Sequence, residues 1–177
     1  MKSEKPSIFL PDRSPLRVTM LVFSGCSIMC VASAVDPLRA ANRVSGETLF
    51  DWKLVSMDGA PPVTTSGLPV AVGGKFDPGE KTDVLAIIGG FGTRMQGTPA
   101  LLAGLRRVAR SARAVGGIEA GTWLVGRAGL LEGRSATTHW EDMEISPPPS
   151  RAWMCGRTAT SSTGRSSPPA APHPPST

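Results

Sequence analysis

The chain of 177 residues has no long apolar run. A membrane helix needs roughly 20 consecutive apolar residues, and no segment approaches that length. The segment from Met1 to Arg17 is polar and is interrupted by Pro6, Pro11 and Pro15, so it does not have the pattern of a signal peptide. These absences predict a cytoplasmic protein without a membrane anchor, and the length predicts one domain.

Cysteine is scarce, and the patterns typical of metal and nucleotide sites are missing. An odd total of three cysteines excludes a complete disulfide set, and Cys26 and Cys30 lie too far apart in sequence for a C-x-x-C motif. Cysteine and histidine do not cluster, so no metal site is predicted. Neither a G-x-G-x-x-G fingerprint nor a P-loop is present, and we therefore predict no cofactor.

Acidic residues are absent from positions 145–177, although that segment contains three arginines. These arginines account for much of the formal net charge of +5, and the remainder of the chain is nearly balanced. The bulk charge therefore gives no indication that the globular part binds nucleic acid.

Apolar runs alternate with helical periodicity along the first part of the chain. The pattern predicts strands over 17–24, 50–57, 83–89, 114–118 and 134–138, and helices over 27–44, 99–111 and 121–131. The run over 83–89 is continuously apolar and ends in glycines, as expected of a central parallel strand. We therefore predict an α/β fold with a doubly wound, mostly parallel sheet and helices on both faces.

The composition changes after Glu144. Proline, serine, threonine, alanine and arginine dominate residues 145–177, which predicts a disordered tail because such a segment buries too little apolar area to offset its ordering entropy. Residues 1–15 are expected to form a disordered arm. The domain itself is assigned to residues 16–144.

A predicted strand runs directly into a predicted helix through Glu119, Ala120 and Gly121. In hydrolase-like α/β proteins a turn of this kind holds a nucleophile, and a carboxylate can serve as one in a few chemistries. A glutamate here more often caps the helix or contacts a cationic ligand. We therefore predict that Glu119 is a ligand-binding rather than a catalytic residue.

Two further segments are candidates for the same site. Gly89, Gly90 and Phe91 follow the central strand, where glycines let a ligand approach the backbone; a plain tight turn is the alternative. His139 and Trp140 follow a strand end, where tryptophan suits a cationic ligand, although core packing explains them equally well. The predicted ligand-binding residues are Gly89, Gly90, Phe91, Glu119, Ala120, Gly121, His139 and Trp140, with no catalytic or metal-binding residues.

Three segments carry a family resemblance. The letters DPLRAANR at 36–43 match the family's EPLRAANR helix with Asp for Glu, 83–89 match its central strand, and AGLLEGRSATTHWE at 128–141 match its AGLLDGRRATTHWE run. Over about residues 16–144 the chain resembles the ThiJ/PfpI-type, class I glutamine amidotransferase-like sensor domain at the front of AraC-type (GlxA-like) transcriptional regulators. The resemblance implies a flavodoxin-like fold whose C-terminal part is missing here.

The resemblance also implies a function. Enzymes of this superfamily place a cysteine at the elbow and an acid in the first helix, whereas Glu119 and Cys30 occupy those positions here. This departure implies a non-catalytic pocket that binds a small nitrogenous metabolite, such as an amino acid or a quaternary ammonium compound, in a homodimer. Two alternatives stay open: an amidase, hydratase or deglycase-like enzyme that uses Cys30 or Glu119, and a dimerisation module without a ligand.

The family binds DNA through a C-terminal pair of helix-turn-helix units, and proline and glycine interrupt nearly every helical window after Glu144. We interpret residues 145–177 as family sequence read in a shifted frame. Trp153 and Met154 have single codons, so the alternative frame must read Asp and then Val at this point. The loss of one base near the Glu144 codon accounts for the change, and the polypeptide is expected not to regulate transcription by itself.

Overall fold

The structure is a computed structural model, and it describes residues 15–137 and 154–155. Four parallel strands form the central sheet in the spatial order β2-β1-β3-β4. These strands are β1 (Leu16–Val22), β2 (Phe50–Val55), β3 (Val84–Ile88) and β4 (Ala114–Ile118). Three helices accompany them, α1 (Ile28–Ser45), α2 (Pro99–Ser111) and α3 (Gly121–Arg127), together with a 3-10 turn, η1 (Thr93–Gln96).

The two inner strands bury side chains on both faces of the sheet. In β1, Leu21 belongs to one apolar cluster, whereas Met20 and Val22 belong to the other. In β3, Leu85 and Ile87 face the first cluster, and Ile88 faces the second. Because successive side chains of a strand point to opposite faces, a strand buried on both faces is apolar throughout. This explains the continuous runs in the sequence and confirms the predicted parallel α/β fold.

Helices α2 and α3 cover the first face. Thr98 caps α2, where its side chain accepts a hydrogen bond from the Leu101 N–H, and Pro99 occupies the first turn. Five residues of α2 are buried, and four of them, among them Leu105 and Val108, pack with Leu124 of α3 in one cluster.

Helix α1 covers the second face less completely. Ser27 caps the helix by accepting a hydrogen bond from the Met29 N–H, and Gly46 ends it in the left-handed conformation with φ of 72°. Val31 is the buried residue of this helix, Val35 and Leu38 are half-buried, and Met29 and Val44 are exposed. The start of α1 lies at the carboxyl edge of the sheet, which brings Ser27 and Cys30 towards the loops that follow β3 and β4.

The connection from β2 to β3 departs from the expected alternation of strands and helices. It contains no helix, and isolated bridges between Ser56 and Lys75 and between Val63 and Pro69 hold it together. The N–H of Thr65 donates to the carbonyl of Cys26, which ties this loop to the start of α1. An irregular loop thereby reaches the carboxyl edge of the sheet.

The third helix is shorter than predicted. The sequence pattern predicts a helix over 121–131, but α3 ends at Arg127. Gly129 takes φ of 75°, and its N–H donates to the carbonyl of Gly126 while the Leu130 N–H reaches back to Val125. A left-handed glycine commonly ends a helix in this way. Gly129, two residues after Arg127, therefore ends α3, and Gly133 does not.

The last described strands are short. Strand β5 (Ser135–Ala136) pairs in parallel with β6 (Met154–Cys155). Met154 and Cys155 belong to the segment predicted to be a disordered tail, and its other residues lie outside the described part of the chain. Among the described residues, no helix combines the length and the apolarity required to cross a membrane.

Candidate ligand pocket

A cavity of about 330 Å³ opens at the carboxyl edge of the sheet. This is the edge at which open α/β sheets bind ligands. Loops after β1, β2, β3 and β4 all contribute to its wall. The lining residues are Gly25, Ser27, Thr65, Gly90, Phe91, Gly92, Arg94, Met95, Glu119 and Ala120.

Glu119 occupies a strained elbow between β4 and α3. Its φ of 56° makes it the one non-glycine residue with positive φ in the described part of the chain. A left-handed conformation costs a residue with a side chain about 1–2 kcal/mol. The turn is closed by hydrogen bonds from the Thr122 N–H to the Glu119 carbonyl and from the Trp123 N–H to the Ala120 carbonyl, both 3.1 Å long. The surrounding packing therefore holds the Glu119 side chain at the cavity.

The glycines behind the elbow permit very close packing. A Cβ atom added to Gly121 would collide with the carbonyl oxygen of Ile87, and one added to Gly89 would collide with the backbone of Gly121. The loop after β3 and the start of α3 can therefore approach each other only as bare backbone. This contact fixes the distance between the glycine turn and the elbow.

The glycine turn after β3 is also locked to the loop after β1. The Phe91 N–H donates to the Gly25 carbonyl at 3.1 Å, and Cys26 pairs with Gly90 in an antiparallel bridge. The Gly90 N–H donates to the side chain of Thr93, which is fully buried. The floor of the cavity is thus a set of backbone segments with fixed positions.

Cys30 contacts the elbow carboxylate directly. Its Sγ donates to Oε1 of Glu119 at 3.4 Å across the gap between α1 and the elbow. Burial of the thiol, followed by the negative charge of Glu119 and this hydrogen bond, raises the pKa of Cys30 to about 11. Cys30 is therefore a neutral thiol near pH 7, whereas a nucleophilic cysteine requires a lowered pKa.

Arg94 brings a positive charge to the same cavity. It lies on η1, and its guanidinium carbon is 5.4 Å from the ring centroid of Trp123. The exposed side chains of Phe91 and Met95, with 68% and 86% of their surface accessible, flank the opening. The cavity thus combines an apolar rim with charges of both signs.

The structure brings most of the predicted site residues together. Gly90, Phe91, Glu119 and Ala120 line the cavity, and Gly89 and Gly121 pack behind them. His139 and Trp140 lie outside the described residues, so their part in a site stays a prediction. Among the described residues, no group of histidine, cysteine and acidic side chains could hold a metal ion.

Sequence reasoning missed the residues that tertiary packing supplies. Arg94 and Met95 follow the glycine turn closely in sequence. The charge of Arg94 just beyond the central strand could have indicated that this segment belongs to the site. Thr65 had no such signal, because it lies in the irregular connection between β2 and β3. Gly25 lies in the loop before the first helix, and Ser27 was assigned to the start of that helix without a role in a site.

The DJ-1/PfpI family model matches residues 16–154. The chain belongs to the DJ-1/PfpI family. As the resemblance implies, enzymes of this family have a cysteine at the elbow and an acidic residue in the first helix. In this chain Glu119 is at the elbow and Cys30 is on the first helix.

Comparison with known proteins connects this DJ-1/PfpI chain with transcriptional regulators. The HTH-type transcriptional regulator CdhR of Pseudomonas aeruginosa is 40% identical over 124 residues, which are 70% of this chain and 37% of that protein. The crystal structure of an AraC family transcriptional regulator from Pseudomonas putida has a TM-score of 0.66 at 26% identity, and the match covers 73% of this chain and 70% of that one. The predicted resemblance to AraC-type regulators is confirmed.

An enzyme of the family is similar over a shorter stretch. The isonitrile hydratase of Pseudomonas putida is 33% identical over 95 residues, which are 53% of this chain and 42% of that protein. Membership of the DJ-1/PfpI family therefore does not by itself separate a sensor from an enzyme, and the chemistry of the pocket has to be weighed.

Proposed function

We propose that this region is the non-catalytic sensor domain of an AraC-type transcriptional regulator and that its pocket binds a small cationic nitrogenous metabolite. The observation that carries the proposal is the Glu119 side chain, held at the cavity by a strained backbone. The similarity to CdhR supports a regulator. An amino acid or a quaternary ammonium compound is the expected class of ligand.

The electrostatics of the pocket support a cation. A carboxylate in a partly desolvated cavity favours a positively charged ligand, because the attraction is screened less there than in water. Phe91 at the opening adds an aromatic ring whose face attracts cations. His139 and Trp140 are proposed to complete this aromatic and polar wall.

A thermal-shift screen of the full chain tests the ligand class. Tetramethylammonium, choline and a set of amino acids are the probes, and neutral isosteres such as tert-butanol are the controls. We expect at least one cation to raise the melting temperature, and Glu119→Gln to abolish that shift. Glu132→Gln, at an exposed glutamate in the turn after α3, is the matched control and should keep the shift. A shift that survives Glu119→Gln would contradict the proposed site.

The alternative is an enzyme that uses Cys30 or Glu119. The raised pKa of Cys30 argues against a thiolate nucleophile at neutral pH. We expect no turnover of glutamine, of a glycated amine or of an isonitrile. Turnover that Cys30→Ala or Glu119→Ala abolishes would overturn the sensor proposal and favour the enzyme.

We further propose that the domain acts as a homodimer in the cytoplasm, and that DNA is bound only through a helix-turn-helix part outside this chain. Sedimentation analysis tests the dimer.

The shifted reading frame after Glu144 is tested by the nucleotide sequence around that codon. Restoring one base should open a longer frame that encodes the rest of the sensor and a DNA-binding domain. An immediate stop codon, or specific operator binding by the chain itself, would contradict this account.

A further inference from the structure

We propose that the outer side of α2 is a binding surface for the phosphate backbone of duplex DNA. Arg106, Arg107 and Arg110 form this surface, which we call the arginine face. The inference rests on the proposed function, because the DNA-binding part of a regulator would bring DNA close to the sensor. It concerns contacts that any DNA sequence can make, and not the recognition of an operator.

The geometry of α2 puts the three arginines on one side of the helix. Residues three and four apart are neighbours on a helix surface, so Arg110 lies beside both Arg106 and Arg107. The three arginines are exposed, whereas Leu105 and Val108 on the opposite side are buried in the core. The helix therefore packs with one side and presents a row of guanidinium groups with the other.

The elements around the arginine face contain no acidic residue. There is one arginine in η1, three in α2 and one in α3, and none of these elements has an aspartate or a glutamate. Within the described part of the chain, no ion pair involves the arginine face. On α1, by contrast, Arg39 pairs with Asp36. Like charges at this spacing repel one another, so a bound polyanion would relieve a repulsion that the fold leaves in place.

The overall charge of the chain conceals this asymmetry. In residues 15–92, six basic residues accompany seven acidic ones, whereas in residues 93–137 seven basic residues accompany two acidic ones. The positive charge of the described domain therefore lies in the part that contains α2 and α3. A local positive field attracts a polyanion even where the mean charge is nearly balanced.

The neighbours of the arginines favour phosphate over a protein or a membrane. Ala103 and Ser111 are small exposed residues on the same side of α2, and the large apolar residues of this helix are buried. Protein interfaces are usually anchored by large side chains in a desolvated centre, and membrane-surface helices by apolar side chains that enter the lipid. The outer side of α2 has no such apolar anchor. Guanidinium groups bind phosphate oxygens through two parallel hydrogen bonds, and duplex DNA carries a dense row of phosphates.

Fluorescence anisotropy of the full chain with a short, labelled, mixed-sequence duplex tests the inference. The affinity is measured over a range of salt concentrations, because the slope of log K against log salt reflects the number of phosphates in contact. We expect the double variant Arg106→Gln/Arg110→Gln to bind about tenfold more weakly at low salt and to reduce the magnitude of the slope by about 2. Replacement of the same two residues by lysine should keep most of the affinity, because the charges remain.

The matched control is Arg39→Gln/Arg43→Gln on α1. It also removes two exposed arginines four residues apart on a helix, but on the other face of the sheet. Its affinity and slope should stay close to those of the parent. The basic residues of positions 1–14 and 145–177 are present in every variant, so any attraction that they add is common to all. Melting curves verify that each variant is folded.

Four results would overturn the inference. They are no binding of the duplex at low salt, an unchanged slope in Arg106→Gln/Arg110→Gln, equal losses in the two double variants, and binding of a polyglutamate peptide as tight as that of the duplex. The last result would favour an acidic protein partner. Because this assay contains no metabolite and the thermal-shift screen contains no DNA, the inference and the proposed function can fail separately.

Discussion

The two faces of the sheet differ in how tightly they are packed, and two neighbouring glycines of β4 show it. A Cβ atom added to Gly117, on the side of α3, would collide with the backbone of Thr122. One added to Gly116, on the side of α1, would have no described atom within 4 Å. At β4 the face of α2 and α3 is therefore closely packed, whereas Gly116 is exposed on the face of α1. The elbow contacts the close-packed face through α3, and α1 brings Cys30 against it from the other face.

The largest effect that tests this comparison is expected from core truncation. Leu105 of α2 is fully buried, and Leu38 of α1 is half-buried. Leu105→Ala should lower the free energy of unfolding by about 3 kcal/mol, and Leu38→Ala by about 1 kcal/mol. Urea denaturation of both variants measures the difference. Equal losses would mean that the two faces are packed alike.

The glycine pair gives the next largest effect. Gly117→Ala should destabilise the fold by roughly 2–3 kcal/mol, because the new methyl group has to displace the backbone of α3. Gly116→Ala should leave stability within about 0.5 kcal/mol of the parent or raise it slightly, since alanine costs less conformational entropy than glycine in a strand. Thermal unfolding of the two variants measures this contrast. A large loss in Gly116→Ala would show that the α1 face is closed after all.

The contact between the faces is tested through thiol reactivity. The carboxylate of Glu119 contributes to the raised pKa of Cys30, so Glu119→Gln should lower that pKa. Alkylation of Cys30 at pH 8.5 should accelerate by about tenfold for each unit of pKa that is lost. The rate is measured with iodoacetamide in a Cys155→Ser background, where Cys26 stays protected because it is fully buried.

The control for this reaction is Glu132→Gln, which should leave the alkylation rate unchanged. A pH–rate profile distinguishes a change in pKa from a change in access, because only the former moves the midpoint. An unshifted midpoint in Glu119→Gln would falsify the coupling between the thiol and the elbow carboxylate.

The smallest effect is expected from ion pairs. Arg17 donates to Asp83 through its backbone N–H and through Nε, both at 3.0 Å, and this side-chain hydrogen bond lowers the pKa of Asp83. Asp83→Asn should destabilise the fold at pH 7 by roughly 1 kcal/mol or less, because Arg17 is half exposed and water screens the pair. Asp36→Asn, in the exposed pair with Arg39 on α1, should have no measurable effect.

The dependence on pH has a definite sign. The folded-state pKa of Asp83 lies below its unfolded value near 3.9, so the stabilisation is complete above that value and is lost as the pH falls through the folded-state pKa. The difference between the parent and Asp83→Asn should therefore disappear in strongly acidic solution. Denaturation curves between neutral pH and acid measure it, and a constant difference over that range would contradict the assignment.

Several elements were predictable because local chemistry decides them. Strands β1 and β3 are continuous apolar runs. Thr98 and Pro99 mark the start of α2, because threonine caps a helix and proline fits its first turn. The predicted end of the helix over 121–131 was wrong. The apolar spacing typical of a helix continues past Arg127, but Gly129 adopts a left-handed conformation that ends the helix. The connection between β2 and β3 could not be predicted, because its conformation depends on contacts with α1 and not on its own periodicity.

The candidate site divides in the same way. Gly90, Phe91, Glu119 and Ala120 were predictable, since each lies just after a parallel strand and carboxyl ends of parallel strands meet at one edge. The sequence by itself determined that the site lies at the carboxyl ends of the strands. It also determined that the elbow carries an acid, Glu119, and the first helix a cysteine, Cys30. Only the tertiary structure decided that the thiol donates to the elbow carboxylate and that Arg94 shares the cavity. The physical reason is that a motif specifies the backbone around one residue, whereas distances between loops arise from packing of segments far apart in the chain.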